Sequence, residues 1–219
     1  MKLTENVFSY PETGMMDCNT YVIKDEITVI IDPGLEQFLP GLIQAMSEDG
    51  ISPNDINIIV NTHLHLDHYW ACDELKKISG AKILMHPLQK ESYELTVVGV
   101  SRVFGMDPIH IKEDEMLDET LKTGKLEFEL LNAPGHSPDS ICLYCKAQGV
   151  MICGDVVFAG NTGRVDFPGG SGKRLKESIE NLSNLDIEYL LPGHMGIVAG
   201  KDKVQKNFNF VRDSVFPYL

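Results

Sequence analysis

An α/β fold, with helices covering a sheet, is what the sequence predicts. Three observations carry this expectation. Ile56-Asn57-Ile58-Ile59-Val60 is a short β-branched run of the kind that forms a buried strand. Residues 35–49 place Leu35, Phe38, Leu39, Leu42, Ile43 and Met46 at the helical period. The order of strands followed by helices recurs in both halves of the chain, without a residue-level repeat. At 219 residues the length suits one domain over 1–219 or two tightly fused halves, with enough chain for a sizeable core.

The first thirty residues read as short strands. Residues 19–24 and 27–31 are β-rich runs around the polar Asp25-Glu26 turn, a hairpin signal. Asp32-Pro33-Gly34 ends the second run. Asp32 reads equally as a turn residue or as a carboxylate standing behind a metal-bound histidine. The 35–49 helix closes at Gly50, a C-cap residue. After 56–60 come a helix over 69–78, a stop at Gly80 and a strand over 82–85. Residues 87–93 predict a helix, and 96–105 a loop or a second short helix. The second half is strand-rich at 126–131, 140–144 and 150–153. A glycine-rich loop over 161–172 leads to a helix at 173–185, a strand at 188–191 and a closing helix at 201–215.

The stretch His63-Leu64-His65-Leu66-Asp67-His68 packs three histidines and one carboxylate into six positions on the loop leaving the 56–60 strand. On extended backbone, residues two apart point the same way, so His63 and His65 converge. Asp67 and His68 follow where the loop turns and address a second point close by. Imidazole nitrogens and carboxylate oxygens are the usual ligands of zinc and iron. Three further ligand types each follow a glycine: His136, Asp155 and His194. Glycine permits the tight turns that aim side chains into a crowded site. Together the seven suffice for two metal ions. His86 and His110 lie outside any cluster and read as structural.

Other features exclude function classes. The net charge of −13 opposes a nucleic-acid partner. No stretch approaches the ~20 apolar residues that span a bilayer, and the N-terminus carries no secretion signature, so the expectation is cytoplasmic. Five cysteines without such a signal read as reduced thiols. Cys142-Leu143-Tyr144-Cys145 has redox-motif spacing, but positions three apart on a strand face opposite sides, so packing is expected. Gly169-Gly170-Ser171-Gly172-Lys173-Arg174 imitates a phosphate-binding loop. Phe167 and Arg174 stand where that motif needs a glycine and a hydroxyl.

H-x-H-x-D-H followed by His, Asp and His in the settings G-H-S, G-D and G-H resembles the metallo-β-lactamase fold superfamily of hydrolases. The resemblance runs from Asn19-Thr20-Tyr21 and Asp32-Pro33-Gly34 to Pro192-Gly193-His194. It implies a four-layer αββα sandwich with metals at one edge between the two sheets. It places His63, His65 and His136 on one ion and Asp67, His68 and His194 on the other, with Asp155 bridging. It implies two divalent ions, zinc first and iron second, and a metal-bridging hydroxide as nucleophile. Asp67 is the candidate to orient that hydroxide or pass a proton.

Gly163-Arg164-Val165-Asp166-Phe167-Pro168-Gly169-Gly170 looks like the G-R-x-D-x-P-G-G loop of small glyoxalase II-like proteins, which cleave thioesters such as S-lactoylglutathione. The substrate expected is therefore a small S-acyl thiol. The chain ends before the helical region of full-length glyoxalase II enzymes, so the thiol is not fixed. Arg164, Lys173 and Arg174 are candidate contacts to an anionic thiol, and a solvated surface explains them equally well. Trp70 is expected either to wall the pocket or to join the core. Persulfide dioxygenases share the motif set but use one iron on the residues matching His63, His136 and Asp155. A lactonase or β-lactamase, and a non-catalytic metal-binding protein, are the further alternatives. A homo-oligomer is left open.

Overall fold

The computed structural model describes all 219 residues. Its first sheet has the spatial order of the chain: β1 (Val7–Tyr10), β2 (Thr20–Lys24), β3 (Thr28–Ile31), β4 (Ile56–Val60), β5 (Lys82–Met85) and β6 (Glu115–Met116). β1–β3 pair antiparallel, and β3–β6 pair parallel. The second sheet contains β7 (Thr120–Lys122), β8 (Glu127–Asn132), β9 (Ile141–Cys145) and β10 (Val150–Gly154). After a short ribbon of β11 (Val157–Phe158) and β12 (Asn161–Thr162), β13 (Tyr189–Pro192) adds parallel to β10, and β14 (Val198–Ala199) closes the edge.

Side-chain alternation along the strands builds three apolar layers. In the first sheet Val22, Ile30, Ile59 and Ile83 point outward, toward α1 (Leu39–Glu48) and α3 (Cys72–Ser79). Tyr21, Ile23, Val29, Ile31 and Val60 point inward, where they meet Phe128, Ile141, Leu143, Val150 and Ile152 of the second sheet. On the far side Tyr144, Met151, Cys153 and Leu190 pack on α6 (Gly172–Leu182) and α7 (Lys201–Ser214). Helix, sheet, sheet, helix is therefore the layer order, the αββα sandwich expected. The Tyr21 hydroxyl spans the two sheets and donates to the Pro192 carbonyl at 2.7 Å. Phe128, with no exposed surface, sits in the middle layer; truncating such a ring costs about 3–5 kcal/mol.

The Cys142–Cys145 pair behaves as strand geometry demands. Cys142 lies in the helix-facing layer and Cys145 in the layer between the sheets. All five cysteines are free and buried.

Some elements differ from expectation. The 69–78 helix is two pieces, α2 (Leu66–Tyr69) and α3. The Ala71 amide donates to the Gly34 carbonyl at 2.8 Å, not to the preceding helical turn, and this breaks the helix. The 35–49 helix opens with a tight turn over Glu36–Phe38 before α1, whose Pro40 occupies the first turn, where its missing N–H costs nothing. Residues 87–105 form α4 (Pro87–Glu91), a wide π-turn (Glu94–Gly99) and α5 (Val100–Val103). No helix is long and apolar enough to cross a membrane.

Candidate metal centre

Parallel strands β3 and β4 end side by side, and this adjacency assembles the centre. Asp32 leaves β3 at φ +54 with its carboxylate aimed across at the neighbouring loop. It accepts from the Thr62 amide (2.7 Å), the Thr62 hydroxyl (2.6 Å) and His68 Nδ1 (3.0 Å). Both readings of Asp32 thus hold at once: it turns the chain in the left-handed region, and it orients a histidine. Further anchors fix the loop. Asn61 donates to the His68 carbonyl at 3.1 Å, Gln89 to the Asn61 carbonyl at 2.7 Å, and the Leu64 amide to Asp139 at 2.9 Å.

Three groups of ligand atoms converge: His63–His65–His136, His63–His68–Asp155 and Asp67–His68–His194. His65 Nδ1 and His136 Nε2 are 2.8 Å apart. The Asp155 carboxylate stands between the groups. Its Oδ2 is 3.5 Å from His136 Nε2 and 3.4 Å from His194 Nε2, and its Oδ1 is 3.4 Å from His68 Nε2. Asp67 Oδ2 is 3.3 Å from His194 Nε2. All seven predicted ligands meet at one sheet edge: His63 and His65 on the loop after β4, Asp67 and His68 on α2, and His136, Asp155 and His194 on the loops after β8, β10 and β13.

Two glycines are required by crowding. A Cβ on Gly193 would sit 2.2 Å from Asp155 Oδ1 and 2.8 Å from His68 Cε1. A Cβ on Gly154, which adopts φ +49, would sit 2.3 Å from the Thr62 hydroxyl that holds Asp32. Glycine is the residue that fits both demands.

The partners behind the histidines select the nitrogen that faces inward. His68 gives Nδ1 to Asp32, and His136 gives Nδ1 to the Arg164 carbonyl at 2.7 Å. His194 gives Nδ1 to Glu12 Oε2 at 2.9 Å, whose other oxygen accepts from the Met195 amide at 3.1 Å. His63 Nδ1 lies 3.2 Å from the Thr62 hydroxyl. That leaves His63 Nε2, His65 Nε2, His68 Nε2 and Asp155 Oδ1 buried with no partner in the chain. Orphaned polar atoms are costly, and three of these residues, His63, His68 and Asp155, form one of the convergent groups, which is what a metal centre needs. The donor set of imidazoles and carboxylates fits divalent metal ions.

Electrostatics agree. Burial, followed by neighbouring histidines, holds the His63 imidazole well below its usual range and brings His65 to about 3, so both present neutral lone pairs. Burial pushes Asp155 up, but His68 and His194 outweigh it and hold the carboxyl well below the usual range. Burial works against a charged His194, yet its hydrogen bonds to Asp155 and Asp67 raise it to about 10. The carboxylates attract positive charge to this point, whether proton or metal.

A cavity of about 470 Å³ opens onto the centre, exposing His65, Asp67, His136, Asp155 and His194. Its other walls are largely apolar: Met16, Val100, Phe104, Phe158 and Phe167. Arg164 lines it, but its guanidinium is fork-bonded to Asp166, both contacts 2.6 Å, and lies 4.0 Å from the Phe167 ring centroid. Lys173 and Arg174 are not among the lining residues; Lys173 lies near Glu177 on the exposed face of α6. Trp70 packs against the first apolar layer and lines a neighbouring groove instead. His86 caps α4 and His110 stacks on Tyr93, both structural as expected. Sequence reasoning missed Glu12, Thr62 and the aromatic wall. Of these only Phe167 carried a signal, lying inside the quoted Gly163–Gly170 stretch.

Residues 13–194 match the sequence profile of the metallo-beta-lactamase superfamily. YqgX of Bacillus subtilis, a probable metallo-hydrolase, is 33% identical over 191 residues, 85% of this chain and 86% of its own. GloC of Haemophilus influenzae, a hydroxyacylglutathione hydrolase, is 31% identical over 196 residues, covering 86% of this chain and 90% of that one. The crystal structure of TTHA1623 in a di-iron-bound form superposes with a TM-score of 0.71 at 28% identity, over 96% of this chain and all of that one. With the profile match covering residues 13–194 and the seven candidate ligands brought together, the chain belongs to the metallo-beta-lactamase superfamily as a metal-dependent hydrolase.

Proposed function

We propose that this hydrolase cleaves thioesters, S-acyl derivatives of a small thiol, at a centre that holds two divalent ions, zinc or iron. The observation that carries the reading is the Asp155 carboxylate, which faces His136 on one side and His68 and His194 on the other. His63, His65 and His136 would hold one divalent ion and Asp67, His68 and His194 a second, with Asp155 reaching both groups, and such ions would supply an acidified water and a polarised carbonyl. The chain's own residues do the rest. Asp32, Glu12 and the Arg164 carbonyl keep His68, His194 and His136 in one tautomer and one orientation. Asp67 lies at the cavity floor, 3.3 Å from His194, where its carboxylate can hold a proton or orient a water. Phe104, Phe158 and Phe167 keep bulk water from the acyl group.

Persulfide dioxygenases share the motif set, so the second triad, Asp67–His68–His194, separates this reading from sulfur oxygenation on one iron only through the number of ions that the centre holds. The likeness to GloC supports a thioester as the acyl donor. The test is a substrate panel on the metal-loaded protein: a short-chain thioester, an oxygen ester, a lactone and a β-lactam. Turnover led by the thioester is the expected result. Preference for the lactam or lactone, or oxygen uptake with a persulfide, would replace the reading.

A further inference from the structure

Beside the metal cavity lies a second concavity of about 520 Å³, lined by Met15, Met16, Leu35, Glu36, Gln37, Trp70 and Met106. Met16 lines both, so the two lie side by side with one exposed side chain between them. The volume falls in the range of small-molecule sites, ~300–1,000 Å³. Three methionines and a tryptophan give it an adaptable, polarisable lining. Met15 is 88% exposed, and Met16 is 45% exposed at φ +61. Exposed apolar residues around a concavity mark a surface that something covers.

The loop that presents these methionines is tied to the metal centre at both ends. Glu12 holds His194, and the Asn19 amide donates to the Gly193 carbonyl at 2.6 Å. Between them Asp17 accepts from the Thr13 amide at 2.8 Å and the Thr13 hydroxyl at 3.0 Å, which closes the turn beneath Met15 and Met16. The groove is therefore held in fixed relation to the reacting carbonyl.

Charge narrows what enters. The groove is lined by no cation, and Glu36 is its one ionisable residue. Arg164, the one arginine or lysine lining the metal cavity, is engaged by Asp166. An arm ending in carboxylates or phosphates would meet no counter-charge here and would face Glu36.

We infer that the Trp70 groove receives a neutral, apolar arm of the substrate, an alkyl chain on the acyl or the thiol side. Its attached carbonyl then lies at the metal centre. The inference rests on the acyl-hydrolase reading, deepens it to a lipophilic substrate, and points away from an anionic thiol.

Trp70 is the chain's single tryptophan, so its emission reports the groove directly. The first measurement is emission of the metal-loaded protein titrated with dodecan-2-one, a ketone analogue that cannot be hydrolysed, and with acetone. A saturable change with the long ketone alone is expected, weakened about tenfold or more by Met106→Ala. The second compares acetyl and decanoyl thioesters of a short thiol, then acetyl thioesters of short and long alkyl thiols. Whichever series gains with length identifies the side that carries the arm. Met106→Ala should lower kcat/KM for the long member by about tenfold and leave the acetyl, short-thiol substrate unchanged.

No emission change with dodecan-2-one, together with turnover of short thioesters at a rate indifferent to chain length, overturns the groove inference and leaves the hydrolase reading intact. Saturable binding of the long ketone without turnover of any thioester keeps the groove and overturns the thioester reading. A Trp70→Ala variant that turns a dimer into a monomer without altering chain-length preference would assign the groove to a second copy of the chain, and also overturns the inference.

Discussion

His68 donates Nδ1 to the carboxylate of Asp32 at 3.0 Å, and both groups are shut off from solvent. The same carboxylate takes the Thr62 amide and hydroxyl. One side chain thereby fixes the start of the ligand loop and the tautomer of its last histidine. Asp32→Ala should lower metal affinity about 10–100-fold while the fold persists, the range for partners behind a ligand. Metal titration alongside circular dichroism checks this, and unchanged affinity would remove Asp32 from the centre.

Gly193 adopts ordinary backbone angles, so its constraint is space and not conformation. Gly193→Ala should displace Asp155 and His68, which a Cβ would approach at 2.2 and 2.8 Å. Loss of at least one metal equivalent with little change in thermal midpoint is expected. Full occupancy would show that the ligands yield freely.

Arg164 contributes through its main chain, since its carbonyl holds His136. Arg164→Ala should leave metal content unchanged and alter only KM. An ion lost in this variant would mean that the guanidinium matters to the centre itself.

Asp139 is fully buried beneath the ligand loop, with Oδ2 on the Leu64 amide and Oδ1 unpartnered. Burial raises its carboxyl to about 6 from the usual 3.8. The folded chain therefore holds this proton more tightly than the unfolded chain, and stability falls as pH rises between those values. Asp139→Asn removes the ionisation, so the variant should gain on wild type as pH climbs from about 4 to 7, by up to about 3 kcal/mol. Denaturant melts of metal-free protein across that range test it; a pH-independent difference between the two proteins would contradict it.

What the sequence made legible follows from locality. His63 to His68 are contiguous, and strand geometry alone pairs His63 with His65. The 2-periodicity of residues 21–23 and 29–31 separates the two faces of the first sheet, and the same logic dismissed Cys142–Cys145. The glycines before His136, Asp155 and His194 marked tight turns, and at Gly154 and Gly193 the crowding is measurable. Long-range partners left no trace. Glu12 is 182 positions from His194, and an acidic residue on a loop reads as surface charge. Lys173 and Arg174 stood open between substrate contact and solvated surface because a basic helix start follows the motif stretch, and α6 places Lys173 near Glu177. The break between α2 and α3 depends on the Gly34 carbonyl, which no local pattern displays. β6 and β14, two residues each, are too short for any period.

The central claim is that Asp155 joins two metal sites. Elemental analysis of protein purified without added metal, beside Asp155→Ala and His194→Ala, tests it most directly. Wild-type protein should carry about two ions per chain, His194→Ala about one, and Asp155→Ala fewer than wild type with thioester turnover lost by at least ~10²-fold. A single ion in wild type that survives His194→Ala, or Asp155→Ala activity within a few-fold of wild type, would contradict the two-metal centre.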